Sequence, residues 1–155
     1  PGHMTLPGRR EESMKLLQDS LEQIGRLSER IGVDVSLEIM EKIPKEFVTD
    51  AQSMKETAGS RKNQFFYTLD IAHCDSEEEP FHILDQLKRI SKIHISNRKG
   101  GCYHTPLGNG DFSFKEMLPK LLAYGLPLVT EGYDDSRDFH RFMENTVFLK
   151  TNGGL

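Results

Sequence analysis

The sequence predicts an α/β fold: one N-terminal helix, then four strand–helix units with parallel strands and all helices on one face. Three observations lead there. The chain opens with apolar residues at helical spacing. Four strand-sized apolar runs follow, each succeeded by an amphipathic segment. The repeat is about thirty residues, the length of a strand, a crossover helix and two short connections. Strands alternating with helices imply a parallel sheet joined by right-handed crossovers. If successive strands lie side by side, the opposite face of the sheet is left bare.

The elements follow in order. Met14, Leu17, Leu21, Ile24, Leu27 and Ile31 recur at three- and four-residue steps, one apolar stripe on a charged surface, and Gly32 ends that helix. "VDVSLEIM" (Val33 to Met40) alternates apolar residues with Asp34, Ser36 and Glu38 and reads as a strand. Pro44 can start the next helix, with Phe47, Val48, Ala51 and Met54 on its apolar side and Gly59 after its end. The strand Phe65 to Ile71 comes next. "DSEEEP" then places negative charge at the start of a helix packed through Ile83, Leu84, Leu87 and Ile90. "KIHIS" (Lys92 to Ser96) is the third strand. The glycine-rich "NRKGGCYHTPLGNGDFSF" reads as a loop whose glycines at 108 and 110 can bring backbone N–H groups close to a ligand. Ser113 caps a helix carrying Met117, Leu118, Leu121 and Leu122, closed by Gly125. "LPLVTE" (Leu126 to Glu131) is the last strand and "DDSRDFHRFMENTVFL" the last helix.

At 155 residues the chain is one domain, short of the roughly 250 residues of a complete eight-stranded α/β barrel. Residues 1–4, "PGHM", resemble a cloning remnant, which leaves 5–155 as a single domain. Twenty basic against 24 acidic residues give a net charge of −4, which argues against a nucleic-acid backbone as the main partner. Lys88, Arg89, Lys92, Arg98 and Lys99 form the nearest thing to a basic patch and fit a solvated face. The apolar stretches are strand-sized, too short to span a bilayer. Cys74 and Cys102 make no disulfide framework, and the expected setting is reducing and cytoplasmic.

Each strand ends its apolar pattern on a residue that can ligate or move protons: Glu38, Asp70, His94 and Glu131. The carboxyl ends of parallel strands share one edge, where ligand sites collect. Singly, the two glutamates fit strand-end acids facing water, and His94 fits a hydrogen-bonded core histidine. Four of four strands ending this way is a stronger signal. Three carboxylates and an imidazole at one mouth repel one another unless a cation neutralises them. Mixed oxygen and nitrogen donors suit one divalent ion, Mn²⁺, Mg²⁺, Co²⁺ or Zn²⁺. His73, three residues beyond Asp70, overhangs the same mouth and can hold a ligand or a second metal.

"SLEIM", "LDIAHC", "IHISN" followed by "HTPLGNGDFSF", and "LVTEGYD" resemble the xylose-isomerase-like barrels. These include sugar isomerases and epimerases and the endonuclease IV type of DNA repair enzyme. The resemblance runs from the first helix to about Tyr133 and implies the C-terminal (βα)4 half of a TIM-type barrel. It implies one divalent metal on Glu38, Asp70, His94 and Glu131. Glu38 and Glu131 would also move a proton on and off the carbon beside a carbonyl, through an enediolate, in a small sugar or related hydroxy-carbonyl compound. His73, from the "DxxH" motif, would hold a substrate oxygen, and His104 matches another polar position of the site. Ile39 stands where many relatives have asparagine, and Cys102 where the repair enzymes have aspartate. The second difference and the acidic balance argue against nuclease chemistry. The alternative of another class is an inactive half-barrel acting as a binding or assembly module. A half-barrel leaves one sheet face and two edges uncovered, so a homodimer or a missing N-terminal half is the expected partner.

Overall fold

The structure is a computed structural model that describes residues 8–134 and 136–153. In chain order it contains α1 (Arg10–Ile31), β1 (Ser36–Glu38), α2 (Ala51–Ala58), β2 (Phe66–Asp70), α3 (Glu79–Gln86) and β3 (Ile90–Ile95). There follow β4 (Asn97–Lys99), β5 (Cys102–Thr105), α4 (Phe114–Leu122), β6 (Leu128–Thr130) and α5 (His140–Thr151). The fold is α/β with a four-stranded parallel sheet, strand order β1-β2-β3-β6, preceded by an N-terminal helix. The predicted fold class is the observed one. Residues 1–4, the expected remnant, lie outside the described residues.

The chain divides into two compact units, residues 1–69 with 82–91, and residues 70–81 with 92–155. In the first, β1 pairs with β2 so that Glu38 faces Thr68. Leu37, Phe65, Tyr67, Leu69, Met54 and Val48 fill its core. Arg61 locks the turn after α2 onto α1. Its Nε and Nη2 donate to the Glu22 carboxylate at 2.7 and 2.9 Å, and Nη1 lies 3.1 Å from Glu29. Those hydrogen bonds hold the Glu22 carboxyl down at about 2, well below its ordinary value of 4.5. The guanidinium lies against the helix at Gly25, where a Cβ would fall 2.4 Å from Arg61 Cδ.

One face of this unit's sheet is not apolar, as a bare barrel interior would suggest. Ser36 Oγ lies 2.8 Å from Thr68 Oγ1 and 3.1 Å from Ser91 Oγ, a hydroxyl cluster joining three strands. Strand alternation puts Glu38 on the same face as Ser36 and Leu37 on the other. Uncovering that face therefore forfeits less apolar burial than expected.

In the second unit, β3 pairs with β6, setting His94 opposite Val129, and Glu131 N–H donates to Ile95 C=O at 3.3 Å. Its core comprises Ile93, Ile95, Leu107, Phe114, Met117, Leu118 and Leu121.

Several boundaries differ from the sequence reading. The apolar stripe of α1 is only partly covered: Leu21 is buried, whereas Ile24, Leu27 and Ile31 are 43–56% exposed. Helix α2 starts at Ala51 rather than Pro44, because Asp50 and Ser53 form a reciprocal cap. Phe47 and Val48 are buried in the irregular segment before it. Ile90 belongs to β3, not α3. Ser113 occupies the position before α4 without a side-chain cap. Helix α5 starts at His140, six residues after Asp134, because the Asp134 carboxylate accepts Phe142 N–H and Ser136 Oγ accepts His140 N–H. The segment read as a plain loop contains the hairpin β4–β5, turned by Gly100 and Gly101 at φ +54° and +86°.

Candidate metal and substrate site

The site is built on Asp70. It ends β2, is fully buried, and its Oδ1 accepts Ala72 N–H at 2.8 Å. That bond caps the short 3₁₀ turn Ile71–His73 and thereby fixes His73, itself 6% exposed. Asp70 Oδ2 faces three imidazoles: His73 Nε2 at 3.9 Å, His94 Nδ1 at 4.0 Å and His104 Nδ1 at 3.8 Å.

The pairing of β3 with β6 brings His94 to Glu131, with Nδ1 and Oε2 2.5 Å apart. The contact lacks the alignment of a hydrogen bond, and Glu131 Oε2 is buried from solvent with no hydrogen bond of its own. A carboxylate oxygen held dry beside an imidazole and a buried aspartate costs free energy unless a positive charge answers it. Ligand atoms of Asp70, His94 and Glu131 lie within 4.8 Å of one another, as do those of Asp70, His73 and His104. Both sets share Asp70. The donors fit a divalent cation of the borderline or hard kind.

Glu38 lies in the first unit, half-buried at the carboxyl end of β1. It faces Thr68, two residues before Asp70 on the neighbouring strand. Of the predicted set, then, Asp70, His73, His94, His104 and Glu131 meet within the second unit.

The sequence reading missed how His104 is held. Hairpin β4–β5 packs against the 3₁₀ turn, and His104 adopts φ +61°. A non-glycine residue there costs on the order of 1 kcal/mol. The fully buried Ser96 places its Oγ 3.0 Å from His104 Nδ1, and the rings of His73 and His104 meet edge-on with centroids 5.3 Å apart. Arg98 clamps the hairpin down: it donates to Cys74 C=O at 2.5 Å and lies over the Tyr103 ring at 5.3 Å. The buried Asn97 donates to Leu107 C=O and Phe112 C=O, both at 2.9 Å. It also accepts Arg98 N–H and Phe112 N–H. That hub shapes the glycine-rich loop. The paired glycines four and three residues before His104 were the available hairpin signal.

Beside Glu131 a cavity of about 70 Å³ is lined by His104, Thr130, Tyr133, Arg141 and Asn145, among others. Arg141 donates to Tyr133 C=O at 2.9 Å, and the start of α5 is occupied by the Asp134 carboxylate, held below its usual range chiefly by Ser136.

Carboxylates and imidazoles gathered at the carboxyl edge of a parallel sheet stand where ligand sites collect in α/β folds. The model of the xylose isomerase-like TIM barrel family matches residues 1–147, and the chain belongs to that family. No curated protein matches the sequence. Among solved structures, a D-tagatose 3-epimerase-like protein superposes with TM-score 0.79 at 22% identity, over 98% of this chain and 59% of its own. A 3-keto-D-glucoside 4-epimerase from E. coli gives 0.72 at 20% identity, over 96% and 57%. A xylose isomerase-like barrel protein from Mycobacterium smegmatis, solved with magnesium, gives 0.57 at 16% identity, over 98% and 53%. The chain thus spans between half and three fifths of their length. Among the described residues no helix is long and apolar enough to cross a membrane.

Proposed function

We infer that this chain carries the metal-dependent half of a sugar isomerase or epimerase, acting on a small sugar or related hydroxy-carbonyl compound. The observation that carries the reading is the Glu131 carboxylate oxygen, buried without a hydrogen bond beside His94 and within ligand distance of Asp70. Membership of the family supports it, as do the likeness to a D-tagatose 3-epimerase-like protein, to a 3-keto-D-glucoside 4-epimerase and to a third protein solved with magnesium.

In this proposal Asp70, His94 and Glu131, joined by Glu38, hold one divalent ion: Mn²⁺, Mg²⁺, Co²⁺ or Zn²⁺. Such an ion, when bound, polarises a substrate carbonyl and so acidifies the neighbouring carbon. Glu131 and Glu38 then act on that carbon from opposite faces, one taking the proton and the other returning it. His73 and His104 hold substrate oxygens, and Ser96 orients the His104 ring for that task. The single-turn cap on Asp70 and the clamped hairpin keep these groups placed before substrate arrives. The two cysteines, Cys74 buried and Cys102 exposed, remain thiols in a cytoplasmic setting.

The test is solvent deuterium exchange into a panel of ketohexoses and ketopentoses, followed by NMR, with and without added Mn²⁺. Metal-dependent exchange at a carbon beside the carbonyl, lost in Glu131→Gln, is expected. Metal binding without any exchange would instead favour a binding module.

A further inference from the structure

Within the first unit, a cleft of about 250 Å³ opens near the amino end of β2. Three separate stretches supply its sides. Lys55 lies in the last turn of α2 and Lys62 in the turn after it, Tyr67 near the start of β2, and Leu87, Lys88 and Arg89 in the link from α3 to β3. Tyr67 and Leu87 are buried and form its apolar part. No carboxylate lines it. The basic residues adjacent in sequence at 88 and 89 thus gain Lys55 and Lys62 as neighbours.

These four cations stand apart from others of the same unit. Arg26 and Arg61 reach Glu22, and Lys45 reaches Glu46. Among the described residues Lys55, Lys62, Lys88 and Arg89 make no ion pair with a carboxylate. Two of them are held in place. Arg89 Nε donates to Phe65 C=O at 3.0 Å and Nη2 to Gln64 C=O at 3.2 Å, with the guanidinium 4.3 Å above the Phe66 ring. Arginine has five N–H donors, so those bonds leave most of the fork for another acceptor. The Tyr67 hydroxyl donates to Lys62 C=O at 2.7 Å and fixes the turn that carries this lysine.

A lysine at a helix end complements the helix dipole, which suffices for Lys55, Lys62 or Lys88 taken singly. It does not explain their convergence with Arg89 on one cleft. A helix end counts for about half a negative charge, so four cations against two helix ends leave roughly three positive charges unanswered.

We propose that this cleft binds a small phosphate monoester. Such a group carries about two negative charges at neutral pH. Arg89 meets its oxygens with a planar fork, the lysines close on it as mobile point charges, and Tyr67 and Leu87 take the ester's apolar body. The volume falls just below the range of drug-sized ligand sites, which suits a small molecule. The net charge of −4 opposes a nucleic-acid backbone as the occupant. None of the candidate metal ligands lines the cleft.

The experiment is an NMR titration of the ¹⁵N-labelled, metal-stripped chain with phenyl phosphate, beside inorganic phosphate and benzoate. One saturable site is expected for phenyl phosphate, with Kd on the order of 0.1 mM, the affinity open to a ligand of this size. Amide shifts should centre on Lys62, Tyr67 and Lys88, and the other two probes should bind about 10-fold more weakly, a difference of one charge or of one buried ring. Lys62→Ala/Lys88→Ala should weaken binding about 10-fold or more with Tm unchanged, since neither side chain holds a partner. Lys15→Ala/Arg30→Ala, which removes equal charge from α1, should leave affinity within about twofold. No saturation by about 10 mM, or shifts centred on His73 and His94, would overturn the proposal. So would equal losses in the two double variants, benzoate or free phosphate binding as tightly as the ester, or a short oligothymidylate binding where the ester does not.

Discussion

A Cβ added at Gly110 would fall 2.1 Å from Cγ of the buried Asn97 and 2.6 Å from Arg98 C=O. The two residues fit because one lacks a side chain and the other makes four hydrogen bonds in the space left. Gly110→Ala should therefore force the loop off Asn97 at a cost of about 2–3 kcal/mol. Asn97→Ala should cost about 3 kcal/mol, since several buried backbone groups lose their partner. Chemical denaturation reads both. A loss under 1 kcal/mol in both variants would mean that the loop is held by something else.

At His104 the proposed substrate contact is set against a strained backbone, φ +61°. Its left-handed backbone favours glycine, so His104→Gly should be more stable than His104→Ala by about 1 kcal/mol. Both variants lose the imidazole and should weaken substrate binding alike. Equal stability of the two variants would show that the backbone is not strained there.

Glu22 sets a pH dependence. Its carboxyl is held at about 2 by Arg61, against 4.5 ordinarily. A depressed acid stabilises the fold above its unfolded value, and that contribution is lost as pH falls through the folded one. The difference in Tm between wild type and Glu22→Gln should be constant above about pH 5 and shrink between 4.5 and 2. A difference that stays unchanged down to pH 2 would refute the pairing.

Much of this was legible in the sequence. The βα repeat and the residues ending each strand come from local pattern, because strand-end polarity and helical spacing are properties of neighbouring residues. Asp70, His94 and Glu131 could be named that way. What was not legible depended on contacts distant in sequence. Pro44 looked like a helix start, but the reciprocal Asp50–Ser53 cap decided it. The hairpin holding His104 was hidden because "NRKGGCYHT" has loop composition. It is stabilised by Arg98 reaching Cys74, 24 residues away. Ile24, Leu27 and Ile31 obeyed the helical period yet stayed exposed, since periodicity shows that a face is apolar and not what covers it.

The central claim is tested most directly by titrating the metal-stripped protein with Mn²⁺ in a calorimeter, beside Glu38→Gln, His94→Ala and Glu131→Gln. One ion per chain is expected, with affinity at least about 100-fold weaker in each variant, the scale on which metal-site residues act. Absence of binding at millimolar Mn²⁺ or Zn²⁺, or affinity unchanged in the His94 and Glu131 variants, would contradict it.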